Sequence, residues 1–230
     1  MLLRQLFDRE TSTYTYLVAD PRTRSAALID PVREQLERDL KLIEELGLNL
    51  EYVLDTHVHA DHVTASGALR DRTGARSIGS TRGAKCADLQ VRHGDRVVLG
   101  DLEICILETP GHTDDSLSFL IDGNVFTGDA LLVRGTGRTD FQNGSPEVLW
   151  DSLTKVLFQL ADSTVVWPGH DYKGHTQSSI GEEKRHNPRV AGKSKAAFVK
   201  ILDELGLPPP KHIDEAVPAN RECGQPAALV

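Results

Sequence analysis

The segment Thr56-His57-Val58-His59-Ala60-Asp61-His62 constrains this chain more than any other. Three imidazoles and a carboxylate crowded into six positions cannot be buried in an apolar core without partners. They follow directly on Leu50 to Asp55, an apolar-rich run that reads as a short strand. The histidines therefore sit just past a strand's C-terminal end. His57 and His59, two residues apart, can converge only from an extended or looped backbone, whereas Asp61 and His62 would point toward a second position. One loop can thus feed two adjacent sites.

The surrounding pattern is that of an α/β chain. Thr13 to Val18 and Ser25 to Asp30 read as strands around the turn signal Asp20-Pro21, an antiparallel opening. Asp30-Pro31 is expected to start a helix whose Leu36, Leu40, Ile43 and Leu46 recur at helical spacing, with Gly47 ending it. A helix over Val63 to Arg72 closed by Gly74 and a strand over Arg76 to Ser80 continue the alternation. Arg96 to Leu99 with Glu103 to Leu107, and Leu117 to Ile121 with Val125 to Thr127, read as hairpins around Gly100-Asp101 and Asp122-Gly123. A second amphipathic helix over Pro146 to Leu160 leads into the strand Thr164 to Trp167, and beyond Gly174 come two weaker helical stretches and a Pro-bearing tail from Pro208. With no internal repeat or low-complexity linker, residues 1–230 are expected to form a single domain with a short C-terminal tail. The expected architecture is two mixed sheets packed face to face between helices.

Composition removes several function classes. Lys and Arg number 26 against 34 Asp and Glu, and the net charge of −8 would repel a phosphate backbone, so no nucleic-acid partner is expected. The longest apolar runs, such as Ala130 to Val133, fall far below the ~20 residues needed to cross a bilayer, and no membrane association is expected. The N-terminal residues resemble neither a signal peptide nor a transit leader, so the expected location is cytoplasmic. The cysteines Cys86, Cys105 and Cys223 are an odd number spread far apart, which favours a reducing compartment. Cys86 and Cys105 are expected to be small buried hydrophobes, Trp150 and Trp167 to pack in the core, and Glu182-Glu183-Lys184-Arg185 to be a solvated helix face.

Three more ligand-competent positions lie beside turn formers: His112 after Thr109-Pro110-Gly111, Asp129 after Gly128, and His170 after Pro168-Gly169 complete a set of seven with His57, His59, Asp61 and His62 at strand exits. Imidazole with carboxylate and without cysteine suits an open, catalytic zinc, iron or manganese site rather than a closed structural one.

These segments, with Pro110-Gly111-His112-Thr113 and Thr127-Gly128-Asp129, resemble in order the ligand motifs of the metallo-β-lactamase superfamily. The resemblance implies that superfamily's αββα sandwich with metal at one edge, but not which reaction runs there. Arg134-Gly135-Thr136-Gly137-Arg138-Thr139-Asp140-Phe141-Gln142, Gly169-His170-Asp171-Tyr172-Lys173-Gly174 and the tail Val217 to Gly224 are similar to the persulfide dioxygenases, the ethylmalonic-encephalopathy-type sulfur dioxygenases. This resemblance implies one Fe(II) per chain on His57, His112 and Asp129, a facial triad with open positions. It leaves His59, Asp61, His62 and His170 off the iron, as outer-shell groups or ligands of a second site. It further implies catalytic roles for Tyr172 and His170, and puts Cys223 near the same pocket.

The implied reaction takes glutathione persulfide, O2 and water to glutathione and sulfite. Oxidation of the sulfane sulfur releases four electrons and O2 accepts four, so no flavin or nicotinamide is needed, and no G-x-G-x-x-G stretch occurs. The substrate brings two carboxylates to an acidic protein. Arg138, in the loop that follows Asp129, is the candidate cation for one of them, with an ion pair to Asp140 as the competing role. The alternative activity is a glyoxalase II-type hydrolase of S-lactoylglutathione with two metals bridged by Asp129. A non-catalytic metal-binding scaffold is a third reading, against which stands the full set of ligand types. Assembly into a homodimer is left open.

Overall fold

In a computed structural model, residues 1–225 are described; the last five residues of the expected 1–230 domain lie outside them. The strands β1 (Leu2–Phe7), β2 (Tyr14–Ala19), β3 (Ser25–Ile29), β4 (Asn49–Leu54), β5 (Arg76–Ser80) and β6 (Leu89–Val91) form one sheet in sequence order. Its first three strands are antiparallel and joined by short turns. From β3 onward pairing is parallel, which requires crossovers: α1 (Leu36–Glu45) links β3 to β4 and α2 (Ser66–Thr73) links β4 to β5. The second sheet is an antiparallel meander of β7 (Arg96–Leu99), β8 (Leu102–Glu108), β9 (Leu117–Ile121) and β10 (Asn124–Gly128). After α3 (Pro146–Lys155), β11 (Val165–Pro168) adds parallel to β10, and β12 (Ser178–Ser179) closes that edge. The helices α4 (Ile180–His186), α5 (Lys195–Asp203) and α6 (Ile213–Arg221) complete the chain.

The layers follow from alternation along the strands. In β2, Tyr16 and Val18 face the second sheet, where they join Ile29, Leu54, Phe119 and Phe126, while Leu17 and Ala19 face α1 and α2 with Leu28, Ile43 and Leu69. Leu149, Leu153 and Phe198 of α3 and α5 cover the outer face of the second sheet. The result is the expected αββα sandwich. The buried hydroxyl of Tyr16 donates to the Pro168 carbonyl at 2.6 Å and ties the two sheets together at the edge where the metal motifs emerge. Ser145 caps α3 by accepting from the Val148 N–H, with Pro146 inside the first turn where its missing donor costs nothing. No helix of the described residues is long and apolar enough to cross a membrane.

Several expectations are corrected. β1 and β6 are strands that the sequence pattern did not mark, and the Pro-bearing tail contains α6 with Pro218 inside it. Asp30 does not open a helix: it adopts a left-handed backbone, φ 51°, and α1 begins only after a short 3-10 turn over Arg33–Gln35. Glu183 is fully buried rather than solvated, because Arg134, Ser178 and Asn187 all donate to it. Trp150 and Trp167 do pack against the core.

Cys86 is half-exposed and bonded to Cys223, while Cys105 is free and also half-exposed. Buried-hydrophobe roles for Cys86 and Cys105 are therefore withdrawn, and the case for a reducing compartment loses its basis. The bond closes 137 residues of chain and fastens the end of α6 to the β5–β6 connection. A cross-link over so long a loop contributes about 2–4 kcal/mol, chiefly by restricting the unfolded chain. Cys86→Ser is expected to lower the melting temperature by several degrees, and thiol titration of the denatured, unreduced protein should find one thiol per chain. Three titratable thiols would sink the assignment.

Candidate metal centre

Every motif residue leaves the C-terminal end of a strand at one edge of the sandwich. His57 to His62 follow β4, His112 follows β8, Asp129 follows β10 and His170 follows β11. The crossing is tight. Gly128 has φ 48°, and a Cβ there would stand 2.5 Å from the Thr56 hydroxyl, so only glycine lets β10 exit against the loop after β4. Gly137 serves a second close approach, since a side chain there would meet His112 Nδ1 at 2.7 Å.

Ligand atoms of His57, His112 and Asp129 lie within 4.8 Å of one another. Their hydrogen bonds determine which atoms are available. The Thr56 hydroxyl spends its proton on Asp30 Oδ2 at 2.9 Å, so at 2.9 Å from His57 Nδ1 it can only accept. His112 Nδ1 donates to the Arg138 carbonyl at 2.7 Å. Both rings therefore carry their proton on Nδ1 and present a bare Nε2, the arrangement a metal requires. Burial, with His59 and His112 as neighbours, pushes the His57 pKa well down and keeps its ring neutral. Burial opposes the charge on Asp129, yet His170, His112 and His57 hold its carboxyl far below the ordinary range. Two imidazoles and one carboxylate fit an ion bound on one face.

The remaining motif residues surround this triad. His170 donates through Nδ1 to Asp129 Oδ1 at 2.6 Å and contacts Asp61 Oδ2 through Nε2 at 3.0 Å. Although its burial favours the neutral ring, those two carboxylates raise the His170 pKa well above normal. Asp61 Oδ2 also accepts from His62 Nδ1 at 2.8 Å and from the Thr13 hydroxyl at 3.0 Å. His59 turns Nε2 to Asp30 Oδ1 at 3.1 Å, and against the effect of burial Asp30 lifts its pKa to about 9. His59 Nδ1 and His62 Nε2 are buried without partners, and with Asp61 these residues form a second group of converging ligand atoms.

Several residues of the centre carry no motif. Asp30, 1% exposed, accepts from the Thr56 N–H at 2.7 Å as well as from its hydroxyl. Asn220 of α6 donates to the His59 and His62 carbonyls at 2.9 and 2.8 Å and accepts from the Thr64 N–H, clamping the whole loop. Asp115 accepts from the Val58 N–H. Only Asn220 had a sequence signal, in the tail that includes Cys223. Cys223, bonded to Cys86, lines a small cavity of about 20 Å³ beside His57 and His59 and not the larger cleft that holds Tyr172 and Arg138, so its expected place in the substrate pocket is corrected.

A cleft of about 580 Å³ opens over the triad, with His112, Asp129 and His170 at its floor and Tyr172, Leu207, Pro208 and Lys211 among its walls. Tyr172 is 71% exposed and stacks on His170, ring centroids 5.8 Å apart and planes 5° from parallel. The fork of Arg138 meets Asp140 at 2.6 and 2.7 Å instead of facing an empty subsite, and its remaining donors hold the Leu207 and Pro208 carbonyls. Arg138 thus fastens one wall of the cleft and is not free to bind a substrate carboxylate.

The profile of the family described as Metallo-beta-lactamase superfamily matches residues 8–85 and 87–170, and the chain belongs to that superfamily. It is 45% identical to "Persulfide dioxygenase ETHE1, mitochondrial" of Bos taurus over 97% of this chain and 89% of the relative, and equally to that of Homo sapiens. A crystal structure of ETHE1 from Myxococcus xanthus superposes with a TM-score of 0.97 at 65% identity, covering 98% of this chain and all of the other. Within the superfamily, the chain belongs to the persulfide dioxygenase family.

Alanine at His57, His112 or Asp129 is expected to empty the centre, whereas His59→Ala and His170→Ala should keep most of the metal. Thr56→Val removes the acceptor that fixes His57 and should weaken metal affinity roughly 10- to 100-fold. Metal analysis of each variant decides; loss from His170→Ala as complete as from His57→Ala would mean a different ligand set.

Proposed function

We propose that this chain oxidises glutathione persulfide with O2 and water to glutathione and sulfite, at one ferrous ion held by His57 Nε2, His112 Nε2 and a carboxylate oxygen of Asp129. Membership of the persulfide dioxygenase family supports the reaction class. The observation that carries the single-metal reading is the full engagement of His170: its Nδ1 donates to Asp129 Oδ1 at 2.6 Å and its Nε2 meets Asp61 Oδ2 at 3.0 Å, so it offers no nitrogen to the second metal that the hydrolase alternative requires.

When bound, a ferrous ion on a two-histidine, one-carboxylate face supplies open positions for sulfur and oxygen and the capacity for electron transfer between them. The protein's part is placement. His170 fixes the rotation of Asp129, and Asp61, held by His62 and Thr13, fixes His170 in turn. Tyr172 stands over that pair at the mouth of the cleft, and its hydroxyl makes no hydrogen bond among the described residues, leaving it available to a substrate. Leu207 and the loop over 132–137 supply apolar and backbone surface to the walls of the cleft.

Protein purified without oxygen should hold one iron per chain and consume one O2 for each sulfite formed from glutathione persulfide. Two metals per chain with hydrolysis of S-lactoylglutathione would establish the alternative instead. Tyr172→Phe retains the stacked ring and loses only the hydroxyl. It should lower turnover about two- to tenfold, the worth of one hydrogen bond, with iron content and melting temperature unchanged. Unaltered kinetics would reduce Tyr172 to packing.

A further inference from the structure

Helix α6 holds the metal-bearing loop through one side chain. Asn220, 3% exposed, donates its amide hydrogens to the His59 and His62 carbonyls at 2.9 and 2.8 Å and accepts from the Thr64 N–H at 2.8 Å. Both carbonyls lie on the short loop that begins with the ligand His57, so the grip of Asn220 bears on where that ligand stands.

The helix has little else to seat it. It is nine residues long with Pro218 inside, and such a helix is marginal on its own. Its buried apolar contact among the described residues is the small cluster of Val63, Ala216 and Ala219. The Gly67 N–H adds a bond to the Cys223 carbonyl at 2.8 Å, and Arg33 meets Glu215 at 3.3 Å on the surface, where an ion pair contributes little. The strongest tie is covalent. Cys223, in the turn after α6, is bonded to Cys86 of the β5–β6 connection, whose carbonyl in turn accepts from Arg70 of α2 at 3.2 Å. The two halves of that bond are unequally accessible: Cys223 is 3% exposed, whereas Cys86 is half-exposed. An incoming thiolate therefore meets Cys86, and Cys223 is the leaving group.

We infer that the Cys86–Cys223 bond is a redox latch on the metal centre: closed, it seats Asn220 on the loop over 59–64, and reduced by a small thiol, it releases α6 and loosens the loop that carries His57. A thiolate attacks Cys86 Sγ, the bond between the two sulfurs breaks, and Cys223 leaves as a thiolate that takes up a proton. A second thiol then displaces the first from Cys86, so two small thiols become one disulfide while the protein gains two thiols. Glutathione is such a thiol, and on the reaction proposed above it accumulates as persulfide is consumed. That choice of opener rests on the persulfide reading; the latch itself does not.

Metal release reports on the latch without turnover. Iron-loaded protein, prepared without oxygen and either left closed or reduced and freed of reductant, is mixed with excess ferrous chelator well below the melting temperature. Reduction should speed iron loss about tenfold, the scale on which a metal site responds to losing an outer partner. In Asn220→Ala, iron loss should already be fast and should change by no more than about twofold on reduction, because the two changes break one connection. Exchange of the Thr64 amide, whose acceptor is Asn220 Oδ1, should quicken on reduction of the wild type, a measurement that needs no variant. Glutathione should raise the thiol count from one to three per chain, and Cys105→Ser should keep the response, since that free cysteine lies on β8. A thiol count that stays at one in glutathione overturns the inference. So does a reduction that lowers the melting temperature yet leaves iron release and Thr64 exchange unchanged, or that speeds iron loss equally in Asn220→Ala; the bond would then act on the unfolded chain alone. If reduction frees iron through Asn220 while no O2 is consumed with glutathione persulfide, the latch stands and the reaction assignment falls.

Discussion

The centre depends on a buried carboxylate that belongs to none of the metal motifs. Asp30, at the end of β3, spends its two oxygens on three donors of the next strand exit: the Thr56 N–H, the Thr56 hydroxyl and His59 Nε2. A carboxylate with 1% exposure is tolerable only when so fully paired. Its left-handed backbone, unusual for a residue with a Cβ, aims it back under the loop rather than forward into a helix. The consequence reaches the metal face by one further bond, because Thr56, having given its proton to Asp30, must accept from His57.

The same logic of exhausted partners separates the inner triad from the residues around it. His57 and His112 each lose Nδ1 to an oxygen that can only accept, and so keep Nε2 for a metal. His170 has both nitrogens beside carboxylates and has none to offer. His59 has given Nε2 to Asp30. Four histidines of identical chemistry thus acquire different roles from their hydrogen-bond partners, and those partners come from the end of β3, the loop after β4 and the 129–140 segment.

Much of this was legible in the sequence, for a physical reason. Strand and helix periods report burial directly, so β2 to β5, both hairpins, α1 and α3 could be read from spacing, and the strand-exit histidines from their place after apolar runs. Contacts between distant segments have no such period. The Asp30-Pro31 pair fits a helix start as well as it fits a turn, and only the arrival of Thr56 above Asp30 decides which. Cys86 and Cys223 meet because α6 docks beside the β5–β6 connection, a tertiary event that spacing over 137 residues does not encode. Glu183 looked solvated because its helix is charged, yet Arg134 arrives from another segment to cover it.

The triad takes its surroundings from the second half of the chain, which builds the walls of the cleft. The triad is common property of many metal-binding folds and is compatible with hydrolysis or oxidation alike. What surrounds it here is a loop, 132–140, whose start is Asp129 and whose Gly137 lies against His112. Arg134 anchors that loop to Glu183, Asn187 and Arg189 grip its middle, and Arg138 with Asp140 fastens it to the backbone at 207–208. Two of these three arginine contacts end on acids of the chain itself and can only brace the wall. The third ends on a neutral threonine and lines the cleft with no acid among the described residues to pair with it, so the loop that packs against His112 also lies under an uncompensated guanidinium.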